Sequence, residues 1–296
     1  MERLPPINIR STMRGLRIRY WPLIKSLQTT LLLTTGMAGY LSASHTHFHG
    51  LVFLSLTGSL FLAISGSTVL NMWYDRDIDA IMKRTCNRPL SRGLVTPQQA
   101  LRLGLVLSCL GVGWALLLSP LYGLVVFTGL VFDVLVYTVW LKRRSAWSIV
   151  WGGISGGMPI LAGRVLATGQ VEWVGLLLSL AVLFWIPTHI LTFNLRYFDD
   201  YQAARVPTFP SLYGFDGTRK IIAASSLLAA LAMGSAALWI GITAGALRLL
   251  AVLSAGLLLL ALTTWMRPSE KVNFGLFKYA SLFMLSSMLV LALGSL

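Results

Sequence analysis

Long apolar stretches separated by short polar segments form the dominant pattern of this chain. Each stretch is close to the roughly 20 residues that a helix needs to cross the hydrocarbon core of a membrane. Nine stretches predict nine transmembrane helices, near residues 22–43, 50–72, 99–118, 121–140, 147–167, 173–195, 219–242, 244–265 and 274–295. We therefore expect an all-α integral membrane protein, with a basic cytoplasmic segment over residues 1–21 and one membrane domain over residues 22–296.

Composition supports this class. Of the 296 residues, 56% are hydrophobic and only 11% are charged, and the mean hydropathy is +0.73, which excludes an ordinary soluble enzyme. Cys86 and Cys109 fit neither a disulfide framework nor a metal-binding spacing, so we expect free thiols. The first nineteen residues lack an A-x-A-like cleavage site. We expect the first helix itself to serve as the insertion signal.

The cationic residues predict the orientation of the helices. Lys and Arg cluster before the first span and after the second, fourth, sixth and eighth, whereas only Arg164 and Arg248 fall toward the opposite side. The positive-inside rule places the N-terminus in the cytoplasm and the C-terminus outside. We expect a multi-pass protein of a prokaryotic inner membrane, with anionic lipid headgroups facing part of its +14 net charge. No soluble basic module is left to bind nucleic acid.

Three polar residues stand four apart where the second apolar stretch meets a cluster of arginines. On a helix, Asn71, Asp75 and Asp79 share one face. Hard divalent cations such as Mg²⁺ take oxygen ligands and are held by one or two carboxylates plus substrate phosphates. The spacing indicates a magnesium-diphosphate site. The alternative is a solvated helix end paired with Arg76 and Lys83.

Two long cytoplasmic segments carry most of the candidate chemistry, over residues 71–93 and 194–214. If the helices ring a central cavity, the two segments can face each other across its mouth, and carboxylates from both can bind one metal-diphosphate. The second segment contributes Asp199 and Asp200, with Asp200 as a metal ligand on the far side. The candidate diphosphate contacts are Lys83, Arg84, Arg88 and Arg196. For Arg84 and Arg88, as for Arg92, topology signalling is the alternative role.

These segments resemble the UbiA superfamily of intramembrane prenyltransferases, whose members carry N-x-x-x-D-x-x-x-D at the cytoplasmic end of helix two. Within it, the chain is similar to the heme O synthases, which are protoheme IX farnesyltransferases. The stretches that carry this narrower resemblance are DRDIDAIMKRTCNRPL, YTVWLKRR, a Gly-Gly followed by Pro159, Pro187-x-His189, and DYQAARVPTFP.

The resemblance implies a fold and a reaction. We expect nine helices around a central cavity and transfer of a farnesyl group from farnesyl diphosphate to a vinyl group of protoheme IX, with water supplying a hydroxyl. Mg²⁺, or Mn²⁺, would assist the departing diphosphate. Asn71, Asp75 and Asp79 would be the catalytic metal ligands, and Tyr137 and His189 would contact substrate, with heme as a substrate and His189 a candidate axial ligand.

The chain departs from its relatives at several points. Lys25 is followed by Ser26 instead of Pro, residues 145–148 read Ser-Ala-Trp-Ser, and Arg164 and Arg196 replace other residue types. A quinone-ring or chlorin acceptor therefore stays open as an alternative. A non-enzymatic transporter is more remote, because it should carry inverted repeats and polar groups near the midplane.

Several single residues also keep two interpretations. His189 can satisfy backbone carbonyls freed by Pro187, and Asp133 can serve packing or the site. The alternating His45, His47 and His49 fit a solvated loop better than a metal site.

Overall fold

Helices separated by short turns make up nearly all of residues 18–43 and 48–294, the part of the chain that the structure, a computed structural model, describes. In chain order they are α1 Ser26–Leu41, α2 Gly50–Tyr74, α3 Arg76–Ile81, α4 Pro97–Leu118, α5 Pro120–Val131, α6 Ser148–Thr168, α7 Trp173–Arg196, α8 Phe198–Ala203, α9 Phe209–Ile240, α10 Ala244–Met266 and α11 Glu270–Gly294. A 3₁₀ turn, Trp21–Ile24, precedes α1, and a π-helix, Phe132–Leu141, continues α5.

Each of the nine predicted spans corresponds to one continuous helical segment. Among the described residues, eight helices are long and apolar enough to cross a membrane, with α5 counted together with its π-helical continuation. The ninth, α1, has 16 residues and at about 1.5 Å per residue is shorter than a bilayer core, although the 3₁₀ turn lengthens it. The predicted all-α membrane fold is confirmed.

The largest difference from the predicted boundaries lies at α9. The apolar stretch begins near residue 219, but the helix begins at Phe209, with Thr208 and Ser211 forming a reciprocal cap at its start. Gly214 interrupts it with a φ of +69°, a left-handed conformation that glycine adopts without strain. Hydropathy did not show this first segment, because its capping and turn residues are polar.

The long helices close into a ring. Neighbours along the chain pack side by side, α6 also packs against α1, α7 packs against α9 and α11, and α11 returns to pack against α1. Small residues permit the closest approaches. A Cβ added to Gly163 of α6 would lie 2.0 Å from the carbonyl oxygen of Gly36 in α1. These contacts fix the backbones around the space that the ring encloses.

Candidate active site

The three spaced polar residues lie where α2 gives way to α3. The predicted single helix is interrupted at Asp75, between Tyr74 and Arg76. The register continues across the break, because the Asp75 N–H donates to the Asn71 carbonyl at 3.0 Å and the Asp79 N–H donates to the Asp75 carbonyl at 2.8 Å. All three polar side chains are buried. The break therefore leaves the predicted spacing intact.

Asn71 and Asp79 each accept a hydrogen bond from a cationic side chain. Lys25, in the turn before α1, donates to Asn71 Oδ1 at 3.1 Å. Arg88, in the loop after α3, donates to Asp79 Oδ2 at 2.6 Å. The Lys25 backbone is left-handed, with a φ of 45°. Such a conformation is uncommon in a residue other than glycine, and here it precedes a side chain directed at the site.

Asp75 is fully buried and pairs with Lys142, which follows the π-helix. Its other oxygen, Oδ1, accepts no hydrogen bond and lies 4.0 Å from Arg143 Nη2. Arg143 instead binds Asp77 through two hydrogen bonds of 2.7 and 2.6 Å. These bonds hold the pKa of the Asp77 carboxyl below its usual range. Asp75 therefore keeps one buried acceptor atom free.

Three further cations contact these residues without a signal in the spacing: Lys25 at Asn71, and Lys142 and Arg143 at Asp75. Lys142 and Arg143 belong to the YTVWLKRR stretch, which supported the family resemblance, but they were counted there as orientation charges. Their contact with the α2–α3 junction joins residues 66 to 69 positions apart. The motif was the available signal, and only the packing of α5 against α2 shows the contact.

The π-helix orients the Asn71 side chain. Thr138 is fully buried, accepts a hydrogen bond from Asn71 Nδ2 at 2.7 Å, and donates its own proton to the Asp133 carbonyl at 2.7 Å. With the amide nitrogen held by Thr138, Asn71 Oδ1 is directed toward Lys25. Segments of π-helix occur frequently at functional sites. This one fixes a candidate metal ligand.

The two long segments that were expected to face each other, residues 71–93 and 194–214, meet. The Arg84 backbone N–H donates to Asp200 Oδ2 at 3.1 Å. The Arg84 guanidinium lies over the rings of Phe193, 4.7 Å from its centroid, and Tyr197, 5.7 Å from its centroid. A small hydrophobic cluster also joins the segments, formed by Ile78, Met82, Ala204 and Val206. The second segment is therefore packed onto the first.

The remaining predicted cytoplasmic residues are exposed. Arg196 lies over the Phe274 ring at 4.0 Å and 3.8 Å from a Glu270 oxygen, on the side of α11. Neither Lys83 nor Asp199 takes part in an ion pair among the described residues, so their substrate contacts stay predictions. Asp75 and Asp79 pair with Lys142 and Arg88, and not with Arg76 and Lys83 as the alternative interpretation required.

A cavity of about 390 Å³ lies inside the ring of helices. Ligand pockets typically span roughly 300–1,000 Å³. Side chains of α1, α2, α5, α6, α7 and α11 line the cavity, and most are apolar. The polar ones are Gln28, Ser67, Thr68, Asp133, Tyr137, Ser155, His189 and Ser281. Because Asp133 and Tyr137 belong to the π-helix that carries Thr138, the cavity begins directly below the polar cluster.

His189 lies in the cavity wall within a stack of aromatic rings. Its ring is nearly parallel to Trp185, with centroids 5.0 Å apart, and to Phe277, with centroids 4.5 Å apart. Phe274 continues the stack, 5.9 Å from Phe277. His189 Nδ1 lies 3.3 Å from the Ser281 hydroxyl. The ring is thus held on both faces, and its contacts link α7 to α11.

The departures from the heme O synthase pattern lie outside the cavity wall. Arg164 is buried near the other end of α6, where it pairs with Glu172 and donates to the Ser42 hydroxyl at 2.8 Å and to the Ser42 carbonyl at 3.1 Å. Residues 145–148 lie at the start of α6 and do not line the cavity. Of the three outer histidines, His45 and His47 lie outside the described residues, and His49 is exposed.

Comparison with known sequences identifies a family. The model of the UbiA prenyltransferase family matches residues 32–287. The protoheme IX farnesyltransferase of Korarchaeum cryptofilum is 43% identical over 206 residues, which cover 70% of this chain and 69% of that protein.

Solved structures share the fold. A digeranylgeranylglyceryl phosphate synthase superposes with a TM-score of 0.77 at 18% identity, over 97% of this chain and 99% of that one. A UbiA homologue from Archaeoglobus fulgidus, solved bound to DMAPP and Mg²⁺, superposes with a TM-score of 0.70 at 14% identity, over 92% and 99% of the two chains. At identities this low, the superpositions show a shared fold only.

Proposed function

Because this chain belongs to the UbiA prenyltransferase family, we propose that it transfers the farnesyl group of farnesyl diphosphate to a vinyl group of protoheme IX, giving heme O and diphosphate. The observation that carries the proposal is the position of an apolar cavity directly below a cluster of oxygen ligands and cations. A diphosphate at the cluster would leave its prenyl chain in the cavity. A prenyl diphosphate needs a polar, cationic site for its diphosphate and an adjoining apolar cavity for its chain.

The oxygen ligands suit a divalent cation. Asp75 Oδ1 is buried and accepts no hydrogen bond. The side-chain oxygens of Asn71 and Asp79 already contact positive charges, those of Lys25 and Arg88. No cluster of three His, Cys, Asp or Glu side chains forms a metal site among the described residues, which agrees with a site that relies on Asn71 and on phosphate oxygens. Asn71, Asp75 and Asp79 would hold Mg²⁺ or Mn²⁺, with Asp200 on the far side. The metal would stabilise negative charge on the diphosphate.

The cations of the site outnumber its carboxylates. Lys25, Arg88 and Lys142 are set against Asp75 and Asp79. The surplus positive charge favours a diphosphate, whose oxygens accept charge-assisted hydrogen bonds. Three more cations lie in the two long segments: Lys83 and Arg84 within residues 71–93, and Arg196 within residues 194–214. We therefore add Lys25 and Lys142 to the proposed diphosphate contacts.

The reaction needs no covalent nucleophile. The C1–O bond of farnesyl diphosphate breaks with its electron pair on the diphosphate, and the vinyl π electrons of the acceptor form the new bond to C1. The apolar wall excludes bulk water from the allyl cation, and the faces of Tyr137 and Trp185 can attract it. The cation then left on the acceptor is quenched by water, which becomes the hydroxyl.

His189 is the proposed acceptor-side residue. Its ring lies in the cavity wall and stacks against Phe277 of α11. The proposed metal ligands lie elsewhere, at the α2–α3 junction. An imidazole suits the iron of a heme, or its carboxylates, better than it suits Mg²⁺. The protein would work in a prokaryotic inner membrane, with the site facing the cytoplasm as the cation bias predicts.

One incubation tests the proposal. Purified protein in lipid nanodiscs would receive labelled farnesyl diphosphate with protoheme IX, a quinone-ring acid or a chlorin, each with Mg²⁺ or with excess chelator. We expect farnesylated product from protoheme only, loss of turnover in chelator, and recovery with Mg²⁺ or Mn²⁺. Product from another acceptor alone would reassign the substrate, and full turnover in chelator would remove the metal site.

A further inference from the structure

One acidic side chain in the cavity wall is used by none of the steps above. Asp133 lies in the π-helix, within the membrane-spanning part of the chain, and lines the cavity together with Tyr137. Ionisable residues inside a membrane are costly, and they commonly serve function. From the sequence, Asp133 fits either a packing role or a role in the site. Its surroundings now distinguish these roles.

The Asp133 carboxyl group is held at one oxygen and open at the other. Ser67 of α2 donates a hydrogen bond to Oδ2. Oδ1 accepts no hydrogen bond among the described residues, and the side chain borders the cavity. A carboxyl group that served packing alone would have both oxygens satisfied by the protein. Asp133 instead lines the space proposed for the reacting groups and keeps one oxygen that the protein does not bond.

The position of Asp133 matches the reacting end of the prenyl chain. Thr138 bonds both to the Asp133 carbonyl and to the Asn71 amide, so one turn of π-helix separates the carboxyl group from a proposed metal ligand. The charged groups that act on it are Lys25 and Lys142, which are cationic, and Asp75, which is anionic. Burial opposes ionisation of this carboxyl group, whereas Lys25, Lys142 and a carbocation forming in the cavity favour it.

We propose that Asp133 is the general base that orients and deprotonates the water which quenches the acceptor cation, an inference that rests on the proposed function. After the vinyl carbon has bonded to C1, the positive charge lies on the other vinyl carbon. A lone pair of water forms the C–O bond there, and one O–H bond breaks with its proton passing to Asp133 Oδ1. The net reaction consumes one water and releases diphosphate and one proton. Ser67 positions the carboxylate for this transfer.

Without the base, the same cation has a competing outcome. It can lose a proton from the neighbouring carbon, which gives an alkene lighter than the hydroxylated product by one water. The two products are formed from one intermediate, after the diphosphate has left. Their ratio therefore reports on the water step, whereas consumption of farnesyl diphosphate reports on the earlier step. A loss of folded protein would lower both products together.

The experiment compares Asp133→Asn with wild type in water enriched in a heavy oxygen isotope, using nanodiscs, protoheme, farnesyl diphosphate and Mg²⁺. Mass spectrometry measures the ratio of labelled hydroxylated product to alkene. General bases contribute roughly 10²–10⁴-fold, so we expect that ratio to fall at least about tenfold, while farnesyl diphosphate consumption changes far less. Asp216→Asn, an exposed aspartate paired with Lys220, is the control and should leave the ratio unchanged.

The outcomes separate the inference from the proposed function. Wild-type protein that farnesylates no porphyrin would refute the proposed function itself. Active wild type with an unchanged product ratio in Asp133→Asn would overturn the role of Asp133. A shift in His189→Phe but not in Asp133→Asn would assign the base to His189 instead. If Asp133→Asn does not fold, Ser67→Ala decides, because it keeps the carboxylate and should shift the ratio in the same direction by a smaller amount.

Discussion

Replacing Asp75 by Asn removes one negative charge while keeping the size of the side chain. Asp75 is fully buried, and only 16% of the Lys142 side chain is exposed. Removing one partner of a buried ion pair costs about 3–5 kcal/mol, because the other charge stays buried and unpaired. Since Lys142 retains some exposure, we expect a loss near the lower end of that range, about 3 kcal/mol.

Asp77→Asn is the matched control. Asp77 is the next acidic residue along the chain and also pairs with a cation, but 59% of its side chain is exposed. An exposed pair contributes about 0–1 kcal/mol. Thermal unfolding of both variants in the same detergent should therefore show a clear loss of stability for Asp75→Asn and little change for Asp77→Asn.

Activity separates the metal role of Asp75 from its structural role. Removing one electrostatic stabiliser of a transition state costs roughly 10²–10³-fold in kcat. The double variant Asp75→Asn, Lys142→Met removes the unpaired charge, so it should recover much of the stability and none of the activity. Diphosphate release measures the activity. Near wild-type turnover in Asp75→Asn would refute the metal site, and equal stability of Asp75→Asn and Asp77→Asn would refute the buried ion pair.

Three further predictions concern topology, the acceptor and packing. In cells producing a variant without native cysteines, a cysteine at Arg84 should react with a membrane-impermeant reagent only after the cells are opened, and one at His49 should react in intact cells; the reverse pattern would invert the orientation. His189→Phe keeps the ring stack but removes the nitrogen atoms, so it should weaken protoheme binding, measured by Soret titration, and leave farnesyl diphosphate affinity unchanged; equal weakening of both would make His189 a packing residue. Gly163→Ala should lower the melting temperature because its Cβ meets a backbone carbonyl, whereas Gly234→Ala meets nothing within 4 Å; equal melting temperatures would contradict the close packing of α1 and α6.

Spacing in the sequence indicated the candidate metal ligands, but it did not indicate the residues that pair with them. Asn71, Asp75 and Asp79 were proposed as metal ligands from their spacing, and the contact between residues 71–93 and 194–214 was expected. Lys25 and Lys142 were not identified, because a positive charge at a membrane boundary also signals orientation. Sequence alone does not separate the two roles. Arg164, a departure from the family pattern, proved to lie away from the cavity.

Hydropathy, charge bias and short spacings determined the class of this protein, its spans and its candidate ligands, because these properties depend on residues near one another in the chain. The pairing of Asp75 with Lys142 and the bond between Asn71 and Thr138 join residues 67 positions apart. They depend on how the helices pack around the cavity. Tertiary structure alone therefore decided which charges pair with the candidate ligands, and that Asp133 lines the cavity with one oxygen that the protein does not bond.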